Sequence, residues 1–242
     1  MSFFNEKLAR ILRTVYVYPK IVPGHDYLHV ERMLILGPRI QGILGHEGKR
    51  LVFDPDEYET AVWLHSLDRV EEFRGRDEDI TAEFLADSPY DHAARARIFD
   101  VLRQHAKRDD EPGDSPLLTA VRVADKIDRL TPINIVAAGA SLANLLPYDP
   151  ADPWWHGGST AEPRLRTQLT AFFRVLEWYA MLPSDEARAL VSPVGLKAQI
   201  VFLRTTAAWL ADLLDVPNEM EADIRLALGK YYDEVCAIIG RV

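Results

Sequence analysis

Apolar residues recur every three or four positions along most of this 242-residue chain, whereas runs of alternating apolar and polar residues are nearly absent. The first spacing places apolar side chains on one face of an α-helix, and the second is typical of β-strands. The pattern therefore predicts an all-α fold. We predict helices at about 3–17, 26–44, 56–73, 78–86, 90–106, 115–130, 133–145, 164–181, 185–191, 194–215 and 218–239.

Prolines near the predicted helix ends support most of these limits. Pro55 and Pro116 fall near the first turns of their helices, and Asp114 or Ser115 can cap the second of these. Pro38 instead falls inside the second predicted helix. Because proline removes a helical hydrogen bond, the sequence predicts either a kink at this position or an early end of the helix.

One irregular segment separates the predicted helices into two groups. Residues 147–163 are rich in proline and glycine, which is typical of a loop. Within it, Trp154, Trp155 and His156 either close over a bound base or sugar or fill a gap between helices. We predict that the whole chain forms one domain, with a C-terminal helical part at about 164–242.

The composition limits the kinds of molecule that this protein is expected to bind. With 48% hydrophobic residues, the chain can bury a substantial core. A net charge of -9 and a pI near 5.3 disfavour binding to nucleic-acid polymers or anionic membranes, because these are held mainly by clustered Lys and Arg. A small anionic substrate in a locally basic pocket is compatible with this charge.

Three features favour a soluble, cytoplasmic protein. The single cysteine, Cys236, excludes an internal disulfide framework and fits a reducing compartment. Charged residues interrupt the apolar residues of segment 1–18, so this segment differs from a signal peptide. The most apolar run, 133–146, is shorter than the ~20 residues that a transmembrane helix needs.

Potential metal ligands lie on three predicted helices that are far apart in the sequence. His29 shares a helical face with Met33 and Leu36, so this histidine is expected to point inward. His65 follows the apolar run AVWL, and Asp125 follows an apolar stripe on its own helix. Because a buried unpaired carboxylate is costly, Asp125 needs a cation or several hydrogen-bond donors.

The sequence around these residues carries three short motifs in a fixed order. GHDYLHVERM has an HxxR spacing that begins at His29, AVWLHS ends in His65 and Ser66, and VADKIDRL surrounds Asp125. This order resembles the HD-domain metal-dependent phosphohydrolases. The first and last motifs look like the HDxxHxxRV and DADRLD signatures of a bacterial branch, and the resemblance covers about residues 20–140.

The resemblance implies an HD-domain-like helical bundle, here with additional C-terminal helices, that hydrolyses a phosphate ester, often a nucleotide. In that family a histidine, an adjacent His-Asp pair and a distal aspartate hold a divalent metal, which activates water. By position, His29, His65 and Asp125 match three of these ligands, and Ser66 replaces the paired aspartate. The implied cofactor is a divalent ion: Mn, Zn, Mg, Fe or Co.

Ser66 decides how much of this chemistry survives. Two neutral imidazoles and one carboxylate leave a divalent ion with a net charge of about +1, so the serine weakens metal binding or abolishes it. Asp68, three residues after His65, could compensate by binding the ion, by holding its water or by orienting the imidazole. The alternative is that Asp68 pairs with an arginine such as Arg69 or Arg32.

Further candidate site residues lie between the second and third ligands or beside the third. His105 occupies a region where related proteins often carry another active-site histidine, and it joins Asp68 as a candidate catalytic group. Lys107, Arg108 and Lys126 are candidates for binding substrate phosphate. The alternative for the residues from His105 onward is a solvated helix end, where cations complement the helix dipole.

Three functions are therefore compatible with the sequence. The first is a metal-dependent phosphohydrolase, either a phosphatase or a nucleotidase, acting on a small phosphorylated compound. The second is a non-catalytic module of the same fold that binds a ligand or a partner after losing the metal. The third is iron-dependent oxidation, which two histidines and one carboxylate also support. A homo-oligomer is compatible with all three.

Overall fold

The fold is all-α, as predicted. The computed structural model describes residues 2–107, 111, 113–154 and 167–241, and these form helices and no β-strand. The helices are α1 (Phe3–Val15), α2 (Tyr27–Ile40), α3 (Pro55–Leu64), α4 (Asp77–Ala86), α5 (His92–Gln104), α6 (Pro116–Arg129), α7 (Ile133–Ser141), α8 (Gln168–Ala180), α9 (Asp185–Arg188), α10 (Pro193–Leu214), α11 (Met220–Leu228) and α12 (Tyr232–Ile239).

Contacts divide the chain into two compact units. The first contains Met1–Asp128 and Pro183–Ala187, and the second contains Arg129–Leu182 and Arg188–Val242. One domain over the whole chain stays a prediction. Among the described residues, no helix combines the length and the apolarity that crossing a bilayer requires.

Helix α3 lies at the centre of the first unit, where it packs against α1, α2 and α5. Its Trp63 side chain is fully buried. Asn5 of α1 is also fully buried and makes hydrogen bonds with α3: its amide nitrogen donates to the Asp56 carbonyl at 3.1 Å, and its amide oxygen accepts from Thr60 Oγ1 at 2.6 Å. These bonds satisfy the polar groups of Asn5 and fix the position of α1 on α3.

Two predicted helices of the first unit end earlier than expected. Pro38 lies in the last turn of α2, which ends at Ile40 instead of residue 44. Helix α3 was predicted to reach residue 73, but it ends at Leu64 and is followed by the 3-10 turns Leu67–Arg69 and Glu71–Phe73. The chain after α3 makes non-local backbone hydrogen bonds instead.

Residues 20–22 supply the partners that replace helical bonds after α3. The amide of Val22 donates to the Arg69 carbonyl at 3.3 Å, and the amide of Glu71 donates to the Lys20 carbonyl at 3.0 Å. The Arg69 carbonyl and the Glu71 amide therefore have partners outside the segment, which does not continue α3.

In the second unit, α8 packs against α7, α10 and α11. The helix predicted at 218–239 is divided in two, because Gly229 between α11 and α12 has a φ of +52°. A positive φ interrupts a right-handed helix and is readily adopted by glycine. The predicted helix at 164–181 begins at Gln168 in the described chain, and residues 155–166 lie outside it.

The start of α10 offers a test of packing in the second unit. A Cβ added to Gly195 would overlap the Leu130 carbonyl oxygen and approach Thr131 Cα at 3.3 Å. Since rigid backbone cannot yield as a side chain does, we expect Gly195→Ala to lower the free energy of unfolding by about 2 kcal/mol, within the range for overpacking. Urea unfolding of the full chain measures this change.

Gly139→Ala is the matched control. Gly139 lies in α7, where an added Cβ would meet no described atom within 4 Å. Alanine favours a helix interior over glycine by about 0.5–1 kcal/mol, so this variant should be as stable as the original chain or slightly more stable. Equal stability of the two variants would contradict the close packing of Gly195.

Candidate metal centre

The three predicted metal ligands converge in the first unit. His29, His65 and Asp125 come from α2, the end of α3 and α6, and one ligand atom from each lies within 4.8 Å of the other two. His29 Nε2 is 3.3 Å from His65 Nε2 and 3.4 Å from Asp125 Oδ1. Both histidines are buried, whereas the Asp125 side chain is 28% exposed, so the cluster is not sealed from solvent.

Local sequence places His29 at the first turn of α2. Asp26 precedes this helix in extended conformation, and its carboxylate accepts a hydrogen bond from the His29 amide at 3.1 Å. This is the N-cap arrangement that starts a helix. Met33 and Leu36 are buried on the same helix, in agreement with the predicted inward face.

His65 stands at the end of its helix instead of inside it. Its amide donates to the Ala61 carbonyl at 2.9 Å, which is the last helical bond of α3. Its ring Nδ1 lies 2.6 Å from the Val62 carbonyl oxygen, which can only accept. Nδ1 therefore carries the hydrogen in the neutral ring, and Nε2 presents its lone pair to the cluster.

His29 is oriented in a similar way by a carboxylate. Its Nδ1 lies 2.7 Å from Asp128 Oδ2 and donates to it, so in a ring with one hydrogen Nε2, which faces His65 and Asp125, is the nitrogen with the lone pair. A histidine binds a metal through a neutral ring, and two imidazoles with their Nε2 atoms aimed at one carboxylate form the donor set of a transition-metal site. The residues present therefore fit a divalent cation.

The sequence alone did not assign a role in this centre to Asp128 or Arg32. Arg32 donates from Nε to Asp128 Oδ1 at 2.6 Å and from Nη2 to Oδ2 at 3.0 Å. Burial raises the pKa of Asp128, but the hydrogen bonds and charges of His29 and Arg32 outweigh this effect and hold the pKa below its ordinary value. Both residues belong to motifs quoted above, HxxR and VADKIDRL, and that is the signal that could have found them.

Ser66 faces the nitrogen of His65 that would bind a metal. The serine is fully buried, and its Oγ lies 3.0 Å from His65 Nε2. Burial, together with the neighbouring His29 and His105, lowers the pKa of His65 to about 3. Because the ring is neutral at pH 7 and Nδ1 carries its hydrogen, Ser66 donates and His65 Nε2 accepts.

Asp68 lies in the 3-10 turn after α3 and pairs with Arg69. The distance from Asp68 Oδ2 to Arg69 Nε is 3.1 Å, so the ion pair given as the alternative role is present. The orienting contact of His65 is the Val62 carbonyl and not Asp68. Asp68 Oδ1 is buried without a hydrogen-bond partner among the described residues. Burial, and then the charge of Asp68, raise the pKa of Tyr16.

His105 is next to the cluster. It follows the last residue of α5, and its ring stands edge-on to that of His65 with the centroids 5.4 Å apart. Its Nδ1 lies 3.0 Å from the Leu102 carbonyl oxygen. The structure thus brings His105 into contact with one of the three predicted ligands, His65.

The two described residues that were predicted to bind phosphate, Lys107 and Lys126, differ in their exposure to solvent. Lys107 is exposed, and its Nζ donates to Gln104 Oε1 at 3.2 Å. Lys126, which follows Asp125 in the sequence, is buried, with 6% of its surface exposed. Arg108 lies outside the described residues, as do Trp155 and His156. Trp154 is described, and its indole nitrogen donates to the Pro217 carbonyl at 2.9 Å.

Comparisons with known proteins identify the fold. No family model and no curated protein matches the chain. A crystal structure of a Lactobacillus plantarum protein, solved as a structural genomics target, is similar with a TM-score of 0.67 and 18% identity, covering 88% of this chain and 99% of its own.

Two further solved structures carry informative names. Bacillus subtilis YpgQ in complex with ADP matches with a TM-score of 0.55 and 17% identity, over 84% of this chain and 96% of its own. An HD-superfamily hydrolase from Bacillus thuringiensis matches with a TM-score of 0.56 and 17% identity, over 86% and 97%. The fold of this chain is HD-like, which confirms the predicted helical architecture.

Proposed function

We propose that this protein is a divalent-metal-dependent phosphohydrolase that acts on a small phosphorylated compound or nucleotide. The observation that carries the proposal is the convergence of His29, His65 and Asp125, with both Nε2 atoms turned toward the carboxylate and both Nδ1 atoms held by acceptors. A cluster built only for packing has no need of two imidazole Nε2 atoms turned toward one carboxylate.

His29, His65 and Asp125 would hold the ion. When bound, a divalent ion polarises a phosphoryl oxygen and lowers the pKa of its water. With one carboxylate among three ligands, the loaded site has a charge of about +1, which attracts an anionic substrate. The partial exposure of Asp125 leaves the cluster accessible to a small molecule.

His105 and Asp68 are the residues that we assign to proton transfer. The His105 ring stands edge-on to that of His65, and its Nδ1 lies 3.0 Å from the Leu102 carbonyl oxygen, so we assign proton transfer to its Nε2. Asp68 Oδ1 accepts no hydrogen bond from the described residues and can take up a proton. We assign Lys107, Arg108 and Lys126 to substrate phosphate, because ammonium and guanidinium groups bind phosphate strongly.

Two of the similar structures support the substrate class. One is named an HD-superfamily hydrolase, and YpgQ was solved in complex with ADP. A nucleotide or another phosphorylated compound of similar size is therefore the first substrate class to test. The acidic chain also favours a small substrate over a nucleic-acid polymer.

The experiment begins with the full chain purified without added metal. Elemental analysis gives its metal content, and the protein is then loaded separately with Mn²⁺, Zn²⁺, Mg²⁺, Fe²⁺ or Co²⁺. We expect close to one ion per chain and phosphate release from at least one member of a panel of nucleotides and sugar phosphates. A fully loaded protein that releases no phosphate with any ion would contradict the proposal.

A second candidate, a non-catalytic module of the same fold, is favoured by one contact. Ser66 Oγ donates to His65 Nε2 and so occupies the lone pair that an ion requires. For this function we expect no stoichiometric metal after loading and no phosphate release. Oxygen consumption by the iron-loaded protein, measured in the same series, detects iron-dependent oxidation.

A further inference from the structure

We infer that Asp128 and Arg32 act together as positioning residues that set the tautomer and direction of the His29 ring. This inference rests on the proposed metal centre, because the ring nitrogen that they leave free is the one that would bind the ion. Neither residue is a metal ligand in the arrangement described above. Their contribution is exerted through His29.

The first step of the argument is the hydrogen-bond pattern around the Asp128 carboxylate. Oδ2 accepts from His29 Nδ1 at 2.7 Å and from Arg32 Nη2 at 3.0 Å, and Oδ1 accepts from Arg32 Nε at 2.6 Å. An ionised carboxylate can only accept hydrogen bonds. His29 must therefore donate from Nδ1, so in a ring with a single hydrogen that hydrogen lies on Nδ1 and not on Nε2.

The second step concerns rigidity. Arg32 forms a two-point contact with the carboxylate, which fixes the carboxylate plane as well as its position. The Asp128 side chain is only 5% exposed, so water offers little competition for its oxygens. Rotation of the carboxylate would break the bonds to both partners at once, and the direction of the His29 ring is fixed in consequence.

The third step is the spacing on two helices. His29 and Arg32 are three residues apart on α2, and Asp125 and Asp128 are three residues apart on α6. Residues at this spacing share a helix face. One face of α6 therefore supplies both the carboxylate near His29 Nε2 and the carboxylate that holds His29 Nδ1. A single helix thus provides the contacts of both ring nitrogens.

The fourth step is the contrast with His65. Its Nδ1 is held by the backbone carbonyl of Val62, and no side-chain substitution removes that acceptor. His29 depends on a side chain for the same purpose. A substitution at Asp128 can therefore change the tautomer of one imidazole while leaving the other as a reference within the same protein.

Asp128→Asn is the direct test. The amide group replaces one carboxylate oxygen by an NH₂ donor, which must face a donor of His29 or of Arg32. If the amide nitrogen faces His29, the imidazole hydrogen moves to Nε2. Two-dimensional ¹H–¹⁵N NMR of the histidine rings in metal-free protein reports the tautomer, and calorimetry with Mn²⁺ reports affinity. We expect a population of the Nε2–H tautomer of His29 and about 10–100-fold weaker Mn²⁺ binding.

Glu57→Gln is the matched control. Glu57 is 7% exposed and forms a two-point contact with Arg97, at 2.9 and 2.5 Å, so it resembles Asp128 in burial and pairing. Within the described part of the chain, its side-chain partner is Arg97, and no histidine contacts it. We expect any loss of stability in this variant to leave the His29 tautomer and the Mn²⁺ affinity unchanged. A similar loss of affinity in both variants would mean that Asp128 acts only through stability.

Arg32→Gln keeps the inference testable if Asp128→Asn does not fold. The Arg32 side chain is one-third exposed, so its replacement perturbs the core less. We expect this variant to keep the Nδ1–H tautomer but to bind Mn²⁺ more weakly than the original chain, because the two-point contact that fixes the Asp128 carboxylate is lost. An unchanged affinity would overturn the role of Arg32.

The outcomes separate this inference from the proposed function. An unaltered His29 tautomer in folded Asp128→Asn overturns the inference, whatever the catalytic activity. An original chain with the Nδ1–H tautomer that releases no phosphate contradicts the proposed function and leaves the positioning role supported.

Discussion

Alanine at His65 is expected to abolish stoichiometric metal binding and to lower phosphate release more than about 100-fold, since even residues that merely orient metal ligands are worth about 10–100-fold. The reason is the small number of ligands. With Ser66 in place of a carboxylate, only His29 and Asp125 would remain to hold an ion. The same loss is expected for His29→Ala and Asp125→Ala.

His92→Ala is the control for these variants. His92 is an exposed histidine at the first position of α5, so its removal leaves the candidate metal centre intact. Metal content by elemental analysis and initial rates of phosphate release should match those of the original chain. Retention of both properties in all three ligand variants would place the metal centre elsewhere.

Ser66→Asp is expected to increase metal affinity at least about tenfold, or about 1.4 kcal/mol of binding free energy. A carboxylate at this position would bring the charge of the loaded site from about +1 to about zero. The attraction between opposite unit charges about 4 Å apart reaches about 4 kcal/mol at an effective dielectric constant near 20. Desolvation of the buried carboxylate offsets part of this gain. Calorimetric titration with Mn²⁺ measures the result.

Ser66→Ala distinguishes the missing charge from the hydroxyl contact. Alanine removes the hydrogen bond from Ser66 Oγ to His65 Nε2 without adding a negative charge. If the missing carboxylate limits binding, the Ser66→Asp variant should show a large gain in affinity and the Ser66→Ala variant only a small one. Equal loading of the Ser66→Asp variant and the original chain would mean that another group, with Asp68 as the first candidate, already supplies the ligand.

The candidate site was predictable where helical periodicity and local motifs agree. His29 could be placed on an inward face because Met33 and Leu36 follow it at helical spacing, and both are buried in the structure. His65 and Asp125 were found from their positions in the ordered motifs. The all-α fold follows from the same periodicity, since it persists through most of the chain.

Features that depend on contacts between residues far apart in the sequence were not predictable. The helical pattern continues past His65, but α3 ends at Leu64, and beyond it Arg69 and Glu71 make backbone hydrogen bonds with residues 20–22. This changes the setting of Asp68, which lies in a 3-10 turn instead of one helical turn beyond His65. The pairing of Arg32 with Asp128 likewise joins residues 96 positions apart, and neither helix alone indicates it.

The early end of α3 has an electrostatic consequence for the candidate metal centre. Aligned peptide dipoles give the carboxyl end of a helix a partial charge of about -0.5. His65 caps that end of α3, and its ring Nδ1 lies 2.6 Å from the Val62 carbonyl oxygen in the last turn, so a cation held by its Nε2 would lie beyond the carboxyl end of this helix. Such a helix terminus typically favours a positive charge by about 0.3–1 kcal/mol. The peptide dipoles of α3 thus compensate in part for the negative charge that is missing because residue 66 is a serine.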